Sequence, residues 1–254
     1  MYGFCALLLA VYTAGHGVLL IQYIRHRNKR SANRGIQKHE HDLPIVTVQL
    51  PIYNEQRVVQ RLIDAVICLD YPIDKLHIQI LDDSSDATSH EIARHIRRYS
   101  HLQIKHIRRE KRTGYKAGAL AYGLEQAQDS EYIAIFDADF VPPEDFLLQT
   151  IPYLLDDPGL GVVQTRWGHL NPETNGLTRA QVLSIDTHFL IEQAERSRSG
   201  WPLPFNGTGG VWRVAAIRDA GGWSSATLTE DLDLSFRAQI RGWRSIFLPD
   251  LVVP

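Results

Sequence analysis

The sequence predicts an α/β domain that follows one N-terminal membrane-spanning helix. The first observation is a long apolar run at the N-terminus, and the second is a regular alternation of short apolar strands and amphipathic helices from residue 44 onward. Composition supplies the third, since 44% of the residues are hydrophobic and 22% are charged, as is typical of a folded chain. A chain of 254 residues is long enough to bury a substantial core.

The N-terminal run, residues 1–24, has very few polar side chains and is long enough to cross a hydrocarbon core of about 30 Å. Six basic residues follow between 25 and 38, before the first acidic residue of the chain at position 40. Such a flank favours the cytoplasmic side of the membrane. We therefore predict a transmembrane helix at 1–24, a basic cytoplasmic linker at 25–43 and a folded domain at 44–254.

Charge, cysteine content and the N-terminal flanks argue against other classes. A cleaved signal peptide fits the apolar run less well, because no basic stretch precedes it and no small-residue cleavage site follows it. The formal net charge of −2 argues against a nucleic-acid partner. The two cysteines, Cys5 and Cys68, provide neither a disulfide framework nor a zinc-binding spacing.

The alternation after the linker divides into strands and helices of ordinary length. Strands are predicted at 45–50, 76–81, 103–107, 132–136 and 160–165, and near Ile246. Helices are predicted at 55–69, 88–99, 115–126, 177–196 and 229–241, with another opening at Pro143 and a short one after a glycine-rich turn. Polar clusters follow the carboxyl ends of several strands, which is the edge where open α/β sheets bind ligands. These clusters should converge in space.

Pro51, Tyr53 and Glu55 follow the first strand, in a turn that leads toward a helix. The free N–H groups of a helix N-terminus can bind a nucleotide. The alternative is an ordinary helix start, with Asn54 as its cap.

Asp82, Asp83 and Asp86 follow the second strand, where carboxylates can accept hydrogen bonds from a ribose or a base. A helix cap is an equally good interpretation for Asp86, but one cap does not require the adjacent pair Asp82 and Asp83.

Arg112 and Lys116 lie near the start of the helix predicted at 115–126, where they can meet phosphate charge. Glycines at 114 and 118 permit a close approach of the backbone. A solvated basic turn is the alternative, because short basic runs are common.

Asp137 and Asp139 end the apolar strand predicted at 132–136. A hard divalent cation, Mg²⁺ or Mn²⁺, takes a few carboxylates together with diphosphate oxygens. A pair of loop acids is the alternative, and the neighbouring clusters favour the metal.

Two further segments lie toward the C-terminus. Residues 205–210 contain three glycines, which suit either a hairpin turn or a backbone that passes close to a ligand. Glu230 and Asp231 begin a helix, where Thr229 is a suitable cap and acids suit the helix dipole. The functional interpretation is that one of the two carboxylates is a general base.

Six segments in order along the chain make the pattern specific. They are PIYNE, LDDSSD, GYKAGAL, FDADF, FNGTGGVWR and TEDLDLSFRAQIRGW. This ordered set resembles family 2 glycosyltransferases of the cellulose-synthase-like superfamily, in particular the glucomannan and mannan synthase branch and its bacterial relatives, over about residues 44–254. The resemblance implies a GT-A fold, a Rossmann-like mixed sheet flanked by helices.

The resemblance also implies an activity. This is the inverting transfer of a hexose from UDP-glucose or GDP-mannose to a polysaccharide, which forms a β-glycosidic bond with Mg²⁺ or Mn²⁺ as cofactor. A membrane lipid is the alternative acceptor. The implied location is a membrane, with the catalytic domain on the cytoplasmic side.

The resemblance assigns roles to the motif residues. It implies donor-nucleotide contacts for Pro51, Tyr53, Glu55, Asp83, Arg112, Lys116 and Asp137, and metal contacts for Asp137 and Asp139. It implies acceptor contacts for Phe205, Asn206, Gly207 and Glu230. It selects Asp231 as the base, a choice that helix periodicity alone does not make.

Two other classes compete with this interpretation. A noncatalytic membrane scaffold that retained the fold has no chemical need for Asp83, Asp137, Asp139 and Asp231 together. A nucleotidyltransferase shares the metal and nucleotide sites but has no use for an acceptor loop and a base. The family's Gln-x-x-Arg-Trp motif does not occur before Pro254, so we expect a chain that is truncated at its C-terminus.

Overall fold

The computed structural model describes residues 2–26 and 43–254. Most of the predicted linker therefore lies outside the described residues. Helix α1 covers Tyr2–His26 and, among the described helices, is the one that is long and apolar enough to cross a membrane. Its C-terminal part contacts the domain, where the Ser199 hydroxyl donates a hydrogen bond to Gln22 at 3.3 Å.

Strands and helices alternate through the domain. The strands are β1 Val46–Ile52, β2 Leu76–Asp82, β3 Gln103–Arg108, β4 Tyr132–Ile135, β5 Leu160–Trp167, β6 Gly210–Arg213 and β7 Arg244–Val253. The helices are α2 Val59–Ile67, α3 Thr88–Ile96, α4 Tyr115–Gln126, α5 Phe146–Asp156, α6 Gly176–Thr187, α7 Ala194–Ser199, α8 Val214–Asp219 and α9 Glu230–Ile240. A 3₁₀ turn at Arg97–Tyr99 follows α3, and a π-helical segment at His188–Gln193 joins α6 to α7.

Within residues 43–254, seven strands form one mixed sheet in the order β3-β2-β1-β4-β6-β5-β7. Strands β3, β2, β1 and β4 are parallel to one another, and β5 is parallel to β7, whereas β6 is antiparallel to both β4 and β5. The central strands are buried on both faces, which explains why their sequences are nearly continuous apolar runs. The register pairs Ile52 with Asp82 and Asp82 with Arg108, so three strands end side by side at one edge.

Helices cover both faces of the sheet. One face packs against α2, α3 and α5 through a core that includes Leu62, Ile92 and Phe146. The other face packs against α4, α8 and α9 through a core that includes Leu120 and Trp212. This three-layer arrangement confirms the predicted α/β fold and holds the strand ends rigid.

Several predicted boundaries were wrong. The helix expected from residue 55 begins at Val59, because Asn54 has a φ of +58° and therefore ends β1 in a turn rather than capping a helix. The helix expected to open at Pro143 begins at Phe146, since the Pro143 carbonyl instead closes a turn with the Phe146 N–H. Strand β6 was not predicted: it has four residues, and the glycine-rich segment before it has the composition of a turn.

Candidate active site

A cavity of about 440 Å³ lies at the carboxyl edge of β1, β2 and β4. The eight residues that the sequence assigned to the donor and the metal all line it. They are Pro51, Tyr53, Glu55, Asp83, Arg112, Lys116, Asp137 and Asp139. The strand register explains this convergence, because the loops that follow β1, β2 and β4 leave the sheet next to one another.

The loops after β1 and β2 are bonded to each other. The backbone N–H of Asn54 donates to the Ser84 hydroxyl, and the Asn54 side-chain oxygen accepts from the Ser85 N–H, both at 2.9 Å. Asn54 therefore joins two walls of the cavity, which is a different role from the helix cap considered above.

The three acids after β2 have separate environments. Asp82 is 1% exposed and accepts hydrogen bonds from His106, Ser89 and the Ser84 N–H, so it supports the loop from inside. These hydrogen bonds hold the pKa of Asp82 well below its usual range, against the opposing effect of burial. Asp86 accepts from the Thr88 N–H at the start of α3. Of the three, Asp83 lines the cavity.

Lys116 lies at the centre of the acidic part of the site. Its ammonium group is 2.5 Å from an Asp137 oxygen, and it donates to the Gly207 carbonyl at 3.1 Å. Burial raises the pKa of the Asp137 carboxyl, and the carboxylates of Asp139 and Asp231 raise it further, whereas Lys116 opposes both effects. Burial also raises the pKa of Glu230, with Asp231 and Asp137 adding to the effect and Lys116 opposing it.

Glu55, which follows β1 on the other side of the cavity, also lies among more negative than positive charges. Burial raises the pKa of Glu55, and the Asp139 and Asp137 carboxylates add to that shift. Several carboxylates that destabilise one another's charge form a site that a cation would stabilise.

The residues present fit a divalent cation in combination with a diphosphate. In the described ranges, no three His, Cys, Asp or Glu side chains are already arranged to hold a metal ion. Asp137 and Asp139 line the same cavity, however, and offer hard oxygen ligands of the kind that Mg²⁺ and Mn²⁺ prefer. Two carboxylates leave coordination positions for phosphate oxygens and water.

Gly207 brings the glycine-rich loop against α9. Its φ is +83°, and a Cβ atom there would lie 2.9 Å from the Asp231 carboxylate and 3.4 Å from the Lys116 ammonium group. Asp231 is thus a near neighbour of both, on the side of the loop that faces α9. The loop is also fixed to the turn after β4, because the Asp137 N–H donates to the Thr208 hydroxyl at 2.9 Å.

The three loop residues among those expected at the acceptor differ in placement. Phe205 is 1% exposed, and its ring lies edge-on to Trp212 with the ring centroids 5.6 Å apart. The apolar ring supports the loop from the core. The Asn206 side-chain oxygen accepts from His188 and Gln193, whose π-helical segment supports the loop from the opposite side. Of these three residues, Gly207 is the one that lies next to Asp231.

Sequence reasoning missed Arg109, which donates to both carboxylate oxygens of Asp83. The signal was available, because Arg109 immediately follows β3 at the edge where the other clusters were expected. It also missed the stacking of Arg112 on Tyr53, where the guanidinium carbon lies 3.3 Å from the ring centroid. It gave Thr229 a capping role, but the Thr229 side chain makes no capping hydrogen bond to α9.

The mixed sheet and the acidic, lysine-containing cavity at its carboxyl edge define a domain of the GT-A type. The chain belongs to the glycosyltransferase-like family 2, which it matches over residues 44–254.

The similar proteins are glucomannan mannosyltransferases by name. Glucomannan 4-beta-mannosyltransferase 1 of Cyamopsis tetragonoloba is 42% identical over 245 residues, which cover 93% of this chain and 47% of the relative. Glucomannan 4-beta-mannosyltransferase 2 of Arabidopsis thaliana is 44% identical over 217 residues, which cover 84% and 41%. The chain thus spans about half the length of these relatives.

A solved structure shares the fold over most of the chain. The mannosyltransferase PcManGT from Pyrobaculum calidifontis, in complex with GDP-Man and Mn²⁺, superposes with a TM-score of 0.74 at 25% identity. The match covers 96% of this chain and 66% of that one. The S. aureus TarS fragment 1–349 superposes with a TM-score of 0.61 at 19% identity, over 82% of this chain, and so supports the fold alone.

Proposed function

We propose that this chain carries the donor site and the catalytic base of an inverting mannosyltransferase, which transfers mannose from GDP-mannose to a polysaccharide and forms a β-glycosidic bond. One observation carries the proposal: Lys116 contacts Asp137 on its donor side and the Gly207 carbonyl on the side of Asp231. The Lys116 ammonium group and the Asp231 carboxylate therefore lie on the two sides of Gly207. The motifs left UDP-glucose and GDP-mannose open as donors, and the names of the similar proteins favour GDP-mannose.

The reaction needs a leaving group stabilised on one side and a base on the other. The acceptor hydroxyl oxygen forms a bond to the anomeric carbon while the bond from that carbon to the diphosphate oxygen breaks. The hydroxyl proton goes to the Asp231 carboxylate, and the electron pair leaves with the nucleoside diphosphate. Attack opposite to departure inverts the anomeric configuration, by the same logic as in inverting hydrolases.

The donor side would supply positive charge at the leaving oxygens. Lys116 and Arg112 line the cavity and would contact the diphosphate, whose charge rises as the bond breaks. A divalent cation held by Asp137 and Asp139 would neutralise further charge on the diphosphate. Asp83 and Tyr53 line the same cavity and would contact the nucleoside.

Asp231 fits the role of the base better than its neighbours. Asp137 faces Lys116 at 2.5 Å, so its charge is engaged on the donor side. The Asp233 carboxylate is bonded to Arg237 in the next turn of α9. Glu230 precedes Asp231 on α9, and side chains of adjacent helical residues diverge by about 100°. Glu230 would then contact the acceptor rather than receive the proton.

Product analysis with the full-length protein in membranes tests the proposal. GDP-mannose should give a polysaccharide product with a β-linkage, and UDP-glucose should be a poorer donor. Incorporation into a solvent-extractable lipid would identify the lipid acceptor instead. A protein that cleaved or joined nucleotides without transferring a sugar would contradict the proposal and favour the nucleotidyltransferase.

We also propose that α1 spans the membrane and that the domain lies on the cytoplasmic side. The length of α1 and the basic residues after it support this topology. Cys68 is exposed on the domain and Cys5 lies on α1, so within this sequence the Cys5→Ser variant retains Cys68 as its one thiol, and any cysteine outside it would be replaced as well. An impermeant maleimide should label this variant in permeabilised cells but not in intact cells. Labelling in intact cells would show that the domain lies outside the cytoplasm and would contradict this topology.

A further inference from the structure

Arg109 and Asp83 form an ion pair beneath the cavity. Their side chains are 11% and 6% exposed. The Arg109 Nε donates to one Asp83 oxygen at 3.0 Å, and its Nη2 donates to the other oxygen. Two parallel hydrogen bonds fix both the position and the plane of the carboxylate.

The same guanidinium holds the turn that precedes α4. Its Nη1 donates to the Thr113 carbonyl at 2.8 Å and its Nη2 to the Tyr115 carbonyl at 3.1 Å. Tyr115 has a φ of +49°, a conformation that a residue with a side chain adopts rarely. Hydrogen bonds to the carbonyls on this turn therefore help to keep it in shape.

Gly118 leaves the space that this contact needs. A Cβ atom at position 118 would lie 2.0 Å from the Thr113 oxygen and 2.6 Å from the Arg109 Nη1. Any side chain there would push the turn and the guanidinium apart. Arg109, the turn and α4 thus pack as one unit.

We infer that Arg109 is a positioning residue of the donor site, which fixes the nucleoside-binding carboxylate of Asp83 and the phosphate-binding turn of Arg112 and Lys116 in one geometry. The inference rests on the proposed function, because it assigns Arg109 a role in binding the same donor. Arg109 acts through its partners and is absent from the lining of the cavity.

The chemistry of the pair also restricts what Asp83 can bind. A carboxylate oxygen has two lone-pair positions, so each Asp83 oxygen keeps one for a ligand. Both Asp83 oxygens accept from the Arg109 guanidinium, so the carboxylate presents acceptor positions to a ligand. The site accordingly takes N–H or O–H donors of a base or ribose. Lysine at position 109 has neither the planar fork nor enough fixed donors to replace the arginine.

Titration calorimetry with GDP and with UDP, in the presence of Mn²⁺, tests this role. We expect Arg109→Lys and Arg109→Met to weaken nucleoside diphosphate binding by about tenfold to a hundredfold, as for other losses of site-orienting contacts. In transfer assays the donor KM should rise, whereas kcat at saturating donor should change much less. The change should be concentrated in binding because the reacting groups near Asp231 are untouched.

Arg213 provides a matched control at the opposite end of the sheet. It also donates several hydrogen bonds, to the Leu160 and Asp157 carbonyls and the Tyr132 hydroxyl. Arg213→Lys should lower the melting temperature without changing the Kd for GDP.

The outcomes separate the role of Arg109 from the proposed function. If wild-type protein binds a nucleoside diphosphate and Arg109→Lys binds it equally well, Arg109 has no positioning role. If Arg109→Met does not fold, the lysine variant decides. Combining Arg109→Lys with Asp83→Asn should weaken binding by less than the two single losses added together, because part of the Arg109 effect passes through Asp83; fully additive losses would overturn the inference. If wild-type protein binds neither GDP nor UDP, the proposed function itself is wrong.

Discussion

Replacing Lys116 with methionine removes one positive charge from the middle of the acidic site while keeping most of the side-chain volume. The wild-type ammonium group contacts Asp137 at 2.5 Å and the Gly207 carbonyl at 3.1 Å. The variant therefore loses the counter-ion of Asp137 and the link between the donor side and the glycine-rich loop. We expect opposite effects on two ligands: weaker binding of a nucleoside diphosphate, and stronger binding of Mn²⁺ alone.

The size of each effect follows from the geometry. The Lys116 and Asp137 side chains are 28% and 33% exposed, so the pair is screened and falls between a surface and a buried ion pair. A hydrogen bond to a charged group contributes about 1.5–3 kcal/mol, which corresponds to about 10-fold to 150-fold in Kd for the diphosphate. Removing a competing cation should strengthen Mn²⁺ binding by a smaller factor, of about threefold to tenfold.

The variant also has a distinct dependence of stability on pH. The pKa of Asp137 is raised in the folded protein, so the folded state binds this proton more tightly than the unfolded state and its stability falls as pH rises through that pKa. Loss of Lys116 raises the pKa further. The stability difference between wild type and variant should therefore be largest near neutral pH and shrink toward about pH 3 to 4, below the ordinary pKa of an aspartate.

Calorimetry with GDP and Mn²⁺, together with thermal unfolding at several pH values, measures all three effects. Lys111→Met is the matched control, because Lys111 is exposed in the segment that immediately precedes α4. Unchanged GDP affinity in Lys116→Met would refute the assignment of Lys116 to the diphosphate. An equal loss of GDP affinity in Lys111→Met would show that the effect comes from the change in net charge and not from a contact of Lys116 with the diphosphate.

Three other substitutions have defined outcomes. Gly207→Ala should reduce transfer by about 10²-fold, because a side chain there is strained and would meet the Asp231 carboxylate; near-normal transfer would show that the loop moves freely. Glu192→Gln should lower the melting temperature more at about pH 5.5 than at about pH 8.5. The hydrogen bond between His188 and Glu192 raises the pKa of His188, so the stability that this pair contributes is lost as pH rises through the raised pKa. A difference in melting temperature that did not change with pH would contradict the pairing. Asp139→Ala should abolish the gain in nucleoside diphosphate affinity that Mn²⁺ gives, and an undiminished gain would exclude Asp139 as a ligand.

Much of the fold could be predicted because its signals are local. Helix α4 was predicted at its observed bounds, since Gly114 precedes it and no proline interrupts it, although Gly118 and Gly123 lie within it. Strands β1 and β2 were located to within two residues at each end, because both are apolar runs followed by polar turns. Strand β6 was missed because its antiparallel pairing with β4 depends on a long chain reversal and leaves no local pattern.

The site was predictable only in part, for a similar reason. Polar residues that follow strands converge by a general rule, which gathered the residues around Asp83 and Asp137. The rule does not say which carboxylate turns inward; the resemblance selected Asp83 over Asp82, and the observed burial gives the physical difference between them. The contact of Lys116 with Gly207 joins residues 91 positions apart and depends on the whole sheet order. Phe205 faces the core because β6 and α9 enclose it, which the motif alone does not show.

The measurement that most directly tests the central claim compares Asp231→Asn with wild type in donor binding and in sugar transfer. The full-length protein in membranes is the object, with GDP-mannose as donor and Glu230→Gln as the matched control. We predict that Asp231→Asn binds GDP-mannose normally and loses transfer by about 10²-fold or more, because it cannot accept the hydroxyl proton. Glu230→Gln should lose less. Normal transfer by Asp231→Asn, or loss of donor binding in both variants, would contradict the account.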